Sequence, residues 1–153
     1  MDLVCQRWGT TKAFKGKGEV LRLARQAGIR ADEVVGDMLS LAAASKSVPG
    51  TRFHYLALRR RPTPCGEACR LRWRNPLHEH VRWQQVVQDL KRLPLGLHDV
   101  YLAMNVSAQE LNALHALYSN EHRVLARLAH VYDTAGDDRA VRCAPAMTSG
   151  GKA

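Results

Sequence analysis

The sequence predicts a single α+β domain, mostly helical, with the element order α-β-β-α-α. Two long stretches have apolar residues spaced three and four apart, and the segment between them alternates apolar with polar residues. The length of 153 residues is that of one ordinary domain. We therefore expect an irregular basic segment over residues 1–18, one domain over 19–133 with its long helices packed antiparallel, and a disordered tail over 134–153.

The first long helix is expected to begin at Glu19 and to end at the turn-forming sequence Ser47-Val48-Pro49-Gly50. Its packed stripe alternates spacings of four and three: Val20, Ala24, Ala27, Ala31, Val34, Met38 and Leu41. Gly28 and Gly36 lie within this helix and each costs about 1 kcal/mol relative to alanine. This cost leaves room for a kink or a break near Gly28.

A two-stranded hairpin is expected to follow. Cys69, Leu71 and Trp73 alternate with three arginines over a period of two, which is typical of a strand with one buried face. The sequence from Pro62 to Gly66 predicts a turn. Because an isolated hairpin is marginally stable in water, the helices must cover its apolar face.

Two further helices complete the prediction. Asn75-Pro76 has the residue types of a helix start, with asparagine as the N-cap and proline at the first helical position. The last helix is expected from about Leu97 to about Tyr132, roughly 50 Å at 1.5 Å per residue. This length exceeds a small domain, so the helix either packs antiparallel against the first one or contributes to a homodimer.

Charge and hydropathy narrow the function class. The 23 cationic residues outnumber the 14 acidic ones, giving a net charge of +9, and 17 of the cations are arginine. No apolar run reaches the ~18 residues of a membrane span, and the first residues lack the apolar core of a signal peptide. We therefore expect a cytoplasmic protein with reduced cysteines and no membrane partner.

The hairpin segment from Thr51 to Arg74 carries most of this charge. It contains seven arginines and one acid, a net charge of +6 on 24 residues. Alternate strand residues project from one face about 7 Å apart, a spacing suited to the phosphates of an extended strand. The sequence therefore predicts phosphate contacts by these residues: Arg59, Arg60, Arg61, Arg70, Arg72 and Arg74. The alternative is a solvated outer face whose arginine stems cover apolar rims.

Three aromatic residues accompany the arginines, namely Phe53, Tyr55 and Trp73. Aromatic rings beside arginines form stacking platforms for bases in some nucleic-acid-binding proteins. More often such rings belong to the core, and we favour the core for all three.

A second candidate anion contact precedes the first helix, at Lys15 and Lys17. The adjacent glycines allow backbone amides to approach an anion, and the helix N-terminus adds a favourable dipole. The spacing is not that of a P-loop. The alternative is a flexible entry in which Phe14 packs under the helix.

Metal and catalytic sites are not predicted. Cys65, Cys69, His78 and His80 lie within 16 residues, but their spacing departs from that of zinc knuckles, and Cys69 is expected in the core. His115 and His122 are seven residues apart on the last helix, where polar positions in a helix seam are the commoner explanation. No nucleophile and base can be paired, so we expect no enzyme and no cofactor.

Three short motifs are similar to those of an uncharacterised family encoded in proteobacterial integrative and conjugative elements and plasmids. They are Phe14-Lys15-Gly16-Lys17-Gly18, Leu71-Arg72-Trp73-Arg74 and Leu111-Asn112-Ala113-Leu114-His115. The resemblance implies a mobile-element DNA context, since genes of this family lie near those for single-stranded-DNA-binding protein and topoisomerase and some members are labelled integrase regulators. The sequence His78-Glu79-His80 departs from the family pattern, which leaves the hairpin exit open.

These observations predict a non-enzymatic nucleic-acid-binding accessory or regulatory protein of a mobile genetic element, with DNA favoured over RNA. A single-stranded-DNA-binding or other element-encoded protein is a second expected partner. The alternative is a helical adaptor that binds an acidic protein in a conjugation or replication complex, which the long last helix favours.

Overall fold

The computed structural model describes residues 14–48, 54–64 and 66–143. It contains the helices α1 (Lys17–Ser47), α2 (Trp83–Leu90) and α3 (Leu95–Cys143) and the strands β1 (Tyr55–Thr63) and β2 (Gly66–Arg74). The predicted order α-β-β-α-α and the packing of the long helices against each other are confirmed. No helix in the described ranges combines the length and the hydrophobicity needed to cross a bilayer.

Helices α1 and α3 pack antiparallel along a seam with alternating spacings of three and four. Val20 lies in one core cluster with Leu125 and Ala129, whereas Met38 lies in another with Tyr101. Six residues of the predicted stripe are buried, namely Val20, Ala24, Ala27, Ala31, Val34 and Met38, whereas the seventh, Leu41, is half-buried and packs against the core.

Helix α1 continues without interruption through Gly28, so the break left open by the sequence does not occur. A Cβ at Gly28 would lie 3.4 Å from Nδ1 of His122, and this nitrogen donates to the carbonyl of Ala24 at 2.8 Å. The His122 ring thus lies against α1 beside Gly28, and its bond to the Ala24 carbonyl satisfies a polar group in the seam.

The hairpin is antiparallel, with Leu56 opposite Trp73 and Arg59 opposite Arg70. Its inner face packs on both long helices, and Trp73 stacks on Tyr101 with 5.5 Å between ring centroids. The predicted alternation over residues 69–74 is confirmed, because Cys69, Leu71 and Trp73 are all buried.

Side-chain hydrogen bonds join the hairpin to the helices. The hydroxyl of Ser45 accepts the N–H of Leu56 at 2.9 Å. The amide of Asn112 accepts the N–H of Leu71 at 2.8 Å and donates to its carbonyl at 3.1 Å, so it takes the place of a neighbouring strand. Seven residues earlier on α3, Asn105 accepts the indole N–H of Trp73 at 3.0 Å. These bonds satisfy buried strand groups and fix the position of β2 on α3.

The helix boundaries differ from the prediction at two places. Asn75 does not cap a helix: its side-chain oxygen accepts the N–H of Glu79 at 2.9 Å in a loop, and α2 begins only at Trp83. Helix α3 continues past Tyr132 to Cys143, so the tail expected from residue 134 begins inside it. Residues 144–153 and 1–13 lie outside the described residues.

Candidate nucleic-acid interface

One face of the hairpin carries five arginines. Strand partners share a face, so the pairing of Arg59 with Arg70 and of Arg61 with Ala68 places residues of both strands on the side opposite the core. We call this surface the outer arginine face, and its members are Arg59, Arg61, Arg70, Arg72 and Arg74. Arg59 and Arg70 are directly opposite each other, an arrangement that disfavours folding when both are charged.

The arginines of this face influence one another electrostatically. Burial, followed by the positive charges of Arg59, Arg70 and Arg74, lowers the pKa of Arg72. None of the ion pairs found among the described residues involves the outer arginine face. Arg74 donates to the backbone carbonyl of His78 at 2.9 Å, which orients its guanidinium without neutralising it.

Arg60 differs from the other predicted contacts, since it lies on the inner face. It is opposite Cys69 in the register, and its Nη1 is 3.1 Å from a carboxylate oxygen of Glu67. The hairpin's one acid thus pairs with its one inward arginine. The predicted phosphate contact of Arg60 would therefore lie on the other side of the hairpin from those of Arg59 and Arg61, because consecutive strand residues point to opposite faces.

The tip of the hairpin extends beyond the core. The described residues from Arg59 to Ala68 are exposed, on both faces. Five residues of β1 and three of β2 therefore form an exposed ribbon roughly 10–16 Å long at 3.3 Å per residue. Such a two-stranded ribbon has the dimensions that a major groove admits.

The aromatic residues separate into two groups. Trp73 is in the core as predicted, whereas Tyr55 is half-buried on the side of the outer arginine face, opposite Arg74. The ammonium of Lys46, from the end of α1, lies 5.6 Å from the Tyr55 ring centroid, and His78 hydrogen-bonds its hydroxyl. The prediction that Tyr55 belongs to the core is wrong, because Tyr55 has the strand parity of Arg59 and therefore lies on the outer side. Nothing local in the sequence indicates Lys46. Phe53 lies outside the described residues.

The entry to α1 is occupied by the protein's own acids. Lys17 forms an ion pair with Asp133 of α3. The carboxylate of Glu19 accepts the backbone N–H of Lys15 at 2.6 Å and places a negative charge in the first turn of α1, where the helix dipole favours it. The structure does not bring Lys15 and Lys17 to the hairpin, because Ser45, which bonds to β1, is at the opposite end of α1.

The residues considered for zinc are engaged separately. Cys69 is buried in the core and burial raises the pKa of its thiol. His78 bonds to Tyr55, and Nδ1 of His80 is 3.3 Å from the carbonyl of Trp73. Cys65 lies outside the described residues, and within the described part of the chain no three histidine, cysteine or acidic side chains group as metal ligands.

In comparisons with known proteins, no protein-family model, no curated protein and no solved structure matches this chain. The resemblance to the mobile-element family therefore stays a prediction from the sequence.

Proposed function

We propose that this protein binds nucleic acid without catalysing a reaction, through phosphate contacts made by the outer arginine face. The observation that carries the proposal is a face of five arginines with no ion pair among the described residues. Clustered cations destabilise the free protein and become favourable when phosphates lie between them. Arginine suits this role because its planar guanidinium offers two parallel N–H donors to one phosphate.

The role in a mobile genetic element rests on the sequence resemblance alone. The preference for DNA over RNA has the same basis. The contacts proposed here need neither, since phosphate is common to both polymers.

The salt dependence of oligonucleotide binding tests the proposal. If all five arginines engage phosphates, log Kd rises with log salt at a slope of about 4.5 on duplex DNA and about 3.5 on single strands. Replacing Arg70, Arg72 and Arg74 with alanine lowers the duplex slope by about 2.7. A matched control removes three exposed arginines that lie outside the hairpin, at positions Arg22, Arg25 and Arg92. The control leaves the slope unchanged.

Equal slopes for the hairpin triple variant and the wild type, with both folded by circular dichroism, would remove the outer arginine face from binding. Equal loss in the control would show that net charge alone drives association.

A second function, an adaptor for an acidic protein partner, is favoured by the surface of α3. Leu117, Val124 and Val131 are spaced by seven residues and are 58%, 53% and 58% exposed. They form an apolar row outside the seam with α1, which is typical of a helix that associates with another helix. This function predicts little affinity for oligonucleotides at physiological salt and stoichiometric co-purification with a protein. Replacing Leu117 and Val124 with lysine would abolish the co-purification.

A further inference from the structure

A cleft of about 730 Å³ lies beneath the hairpin tip, between its inner face and the seam of α1 and α3. Its volume is within the range of roughly 300–1,000 Å³ found for small-molecule sites. The outer arginine face lies on the other side of the same strands, so the cleft is a separate surface. The polar residues that matter here are Asp32, Arg60, Glu67, His115, Ser119, Arg123 and Arg127.

The charged side chains of the cleft carry a net positive charge. The Arg60 and Glu67 side chains pair with each other at 3.1 Å, which leaves two positive charges, on Arg123 and Arg127, and one negative charge, on Asp32. Arg123 and Arg127 are one turn apart on α3, so their side chains are neighbours on one helix face. Arg123 also donates to the side-chain oxygen of Asn120, which holds its guanidinium at the cleft. Two adjacent guanidiniums are a common arrangement for holding one phosphate group.

The floor of the cleft offers neutral and acceptor groups. His115 is only 5% exposed, and burial lowers the pKa of its imidazole, so the ring is neutral at pH 7. Its Nε2 is 3.4 Å from the hydroxyl of Ser119. A neutral imidazole has one donor and one acceptor in total, and Nε2 of His115 already faces Ser119; the Ser119 hydroxyl and the Asp32 carboxylate supply further donor and acceptor groups. Together they match the mixed donor and acceptor edge of a nucleobase.

Small apolar residues lie among these polar groups. The cleft is also lined by Ala31, Val35, Ala116 and Pro64. Their side chains give the cleft an apolar surface on which a ring can pack, in addition to its polar groups.

We propose that this cleft binds one phosphorylated nucleoside, with its phosphate on Arg123 and Arg127 and its base against Asp32 and His115. The ligand is either a free mononucleotide or an unstacked nucleotide of a single strand. The inference rests on the proposed function only in the second case, in which it specifies single-stranded nucleic acid as the substrate.

Titration calorimetry with adenosine and guanosine 5′-monophosphates tests the cleft, with inorganic phosphate and adenosine as partial ligands. We expect at least one mononucleotide to bind ten-fold more tightly than either partial ligand. Replacing both Arg123 and Arg127 with alanine raises its Kd at least ten-fold. The matched control replaces Arg22 and Arg25, exposed arginines one turn apart on α1, and leaves the Kd unchanged.

A second variant protects the test against misfolding of the first. Ala116 is exposed on α3 and lines the cleft, so Ala116→Trp fills the space without disturbing the core. It too raises the Kd for the mononucleotide at least ten-fold. Phosphate binding as tight as mononucleotide binding, or unchanged affinity in both cleft variants, would overturn the inference.

Binding measurements with single-stranded and duplex oligonucleotides distinguish the two sources of the ligand. If the nucleotide belongs to a strand, the wild type binds a single strand more tightly than a duplex, and the Arg123/Arg127 double variant loses this preference. If it is free, the preference is unaffected and only mononucleotide binding is lost. The Arg70/Arg72/Arg74 triple variant retains mononucleotide binding in either case. If the proposed function is wrong, the salt slope of the Arg70/Arg72/Arg74 variant does not change. If the proposed nucleotide site is wrong, the mononucleotide titration shows it, so the two failures are distinguishable.

Discussion

Removing one charge from the outer arginine face should stabilise the free protein while weakening its binding to nucleic acid. The best position is Arg72, which lies on β2 between Arg70 and Arg74 and whose pKa is lowered by burial and by three neighbouring arginines. The substitution Arg72→Gln removes the charge and retains part of the stem, whose packing contributes to the half-buried state of this residue.

The magnitude follows from the strand spacing. Arg70 and Arg74 are two residues away from Arg72, and Arg59 is diagonal to it, so each like charge is about 7 Å distant. In water this separation corresponds to about 0.6 kcal/mol per pair. The Debye length of about 8 Å at 0.15 M salt reduces each pair to roughly 0.25 kcal/mol, whereas 0.01 M salt leaves roughly 0.5 kcal/mol. The three neighbours together predict a gain of about 0.7 kcal/mol at 0.15 M and about 1.4 kcal/mol at 0.01 M.

Urea denaturation at several salt concentrations measures this gain, with Arg72→Lys as the control that keeps the charge. The gain should shrink as salt rises, and the same variant should bind oligonucleotides more weakly than the wild type. A destabilised Arg72→Gln protein at 0.01 M salt, or a gain in stability that does not depend on salt, would refute the idea that repulsion within the outer arginine face destabilises the folded protein.

Three further predictions concern the scaffold. Asn112→Ala leaves the N–H and carbonyl of Leu71 without their partner, so we expect a loss of about 1–3 kcal/mol in the free energy of unfolding measured with urea. Gly36→Ala raises that free energy by about 0.5–1 kcal/mol, because a Cβ there meets open space and alanine favours the helix. Gly16→Ala lowers it by about 1–3 kcal/mol, because φ at this position is 137°, a conformation that residues with a Cβ rarely adopt. The pKa of His115 in the folded state is below its ordinary 6.5, so protonation favours the unfolded state and stability falls as the pH drops below 6.5. His115→Gln should flatten that acid dependence of the urea midpoint.

The sequence predicted those elements whose signal is local. The three-and-four spacing of α1 gave its packed face, and the period of two over residues 69–74 gave the buried and exposed faces of β2. Element boundaries depended on competing local bonds. Asn75 and Pro76 have the residue types of a helix start, but Asn75 instead binds Glu79 and closes a loop.

The candidate site was predicted only in part, because its geometry depends on pairing between distant segments. The strand period alone determines that Arg60 faces away from Arg59, but the register is needed to place Arg59 opposite Arg70. Neither the pairing of Lys17 with Asp133 nor the approach of Arg123 to the hairpin tip has any local signal, since each joins residues far apart in sequence.

The amide of Asn112 also sets the relation between the two basic surfaces. It attaches β2 to one point of α3, and Arg123 follows 11 residues later on the same continuous helix, about 16 Å along its axis. Inserting a single residue between these positions would turn Arg123 by about 100° around the helix and away from the tip. The length of this helical segment is therefore constrained by the position of the hairpin.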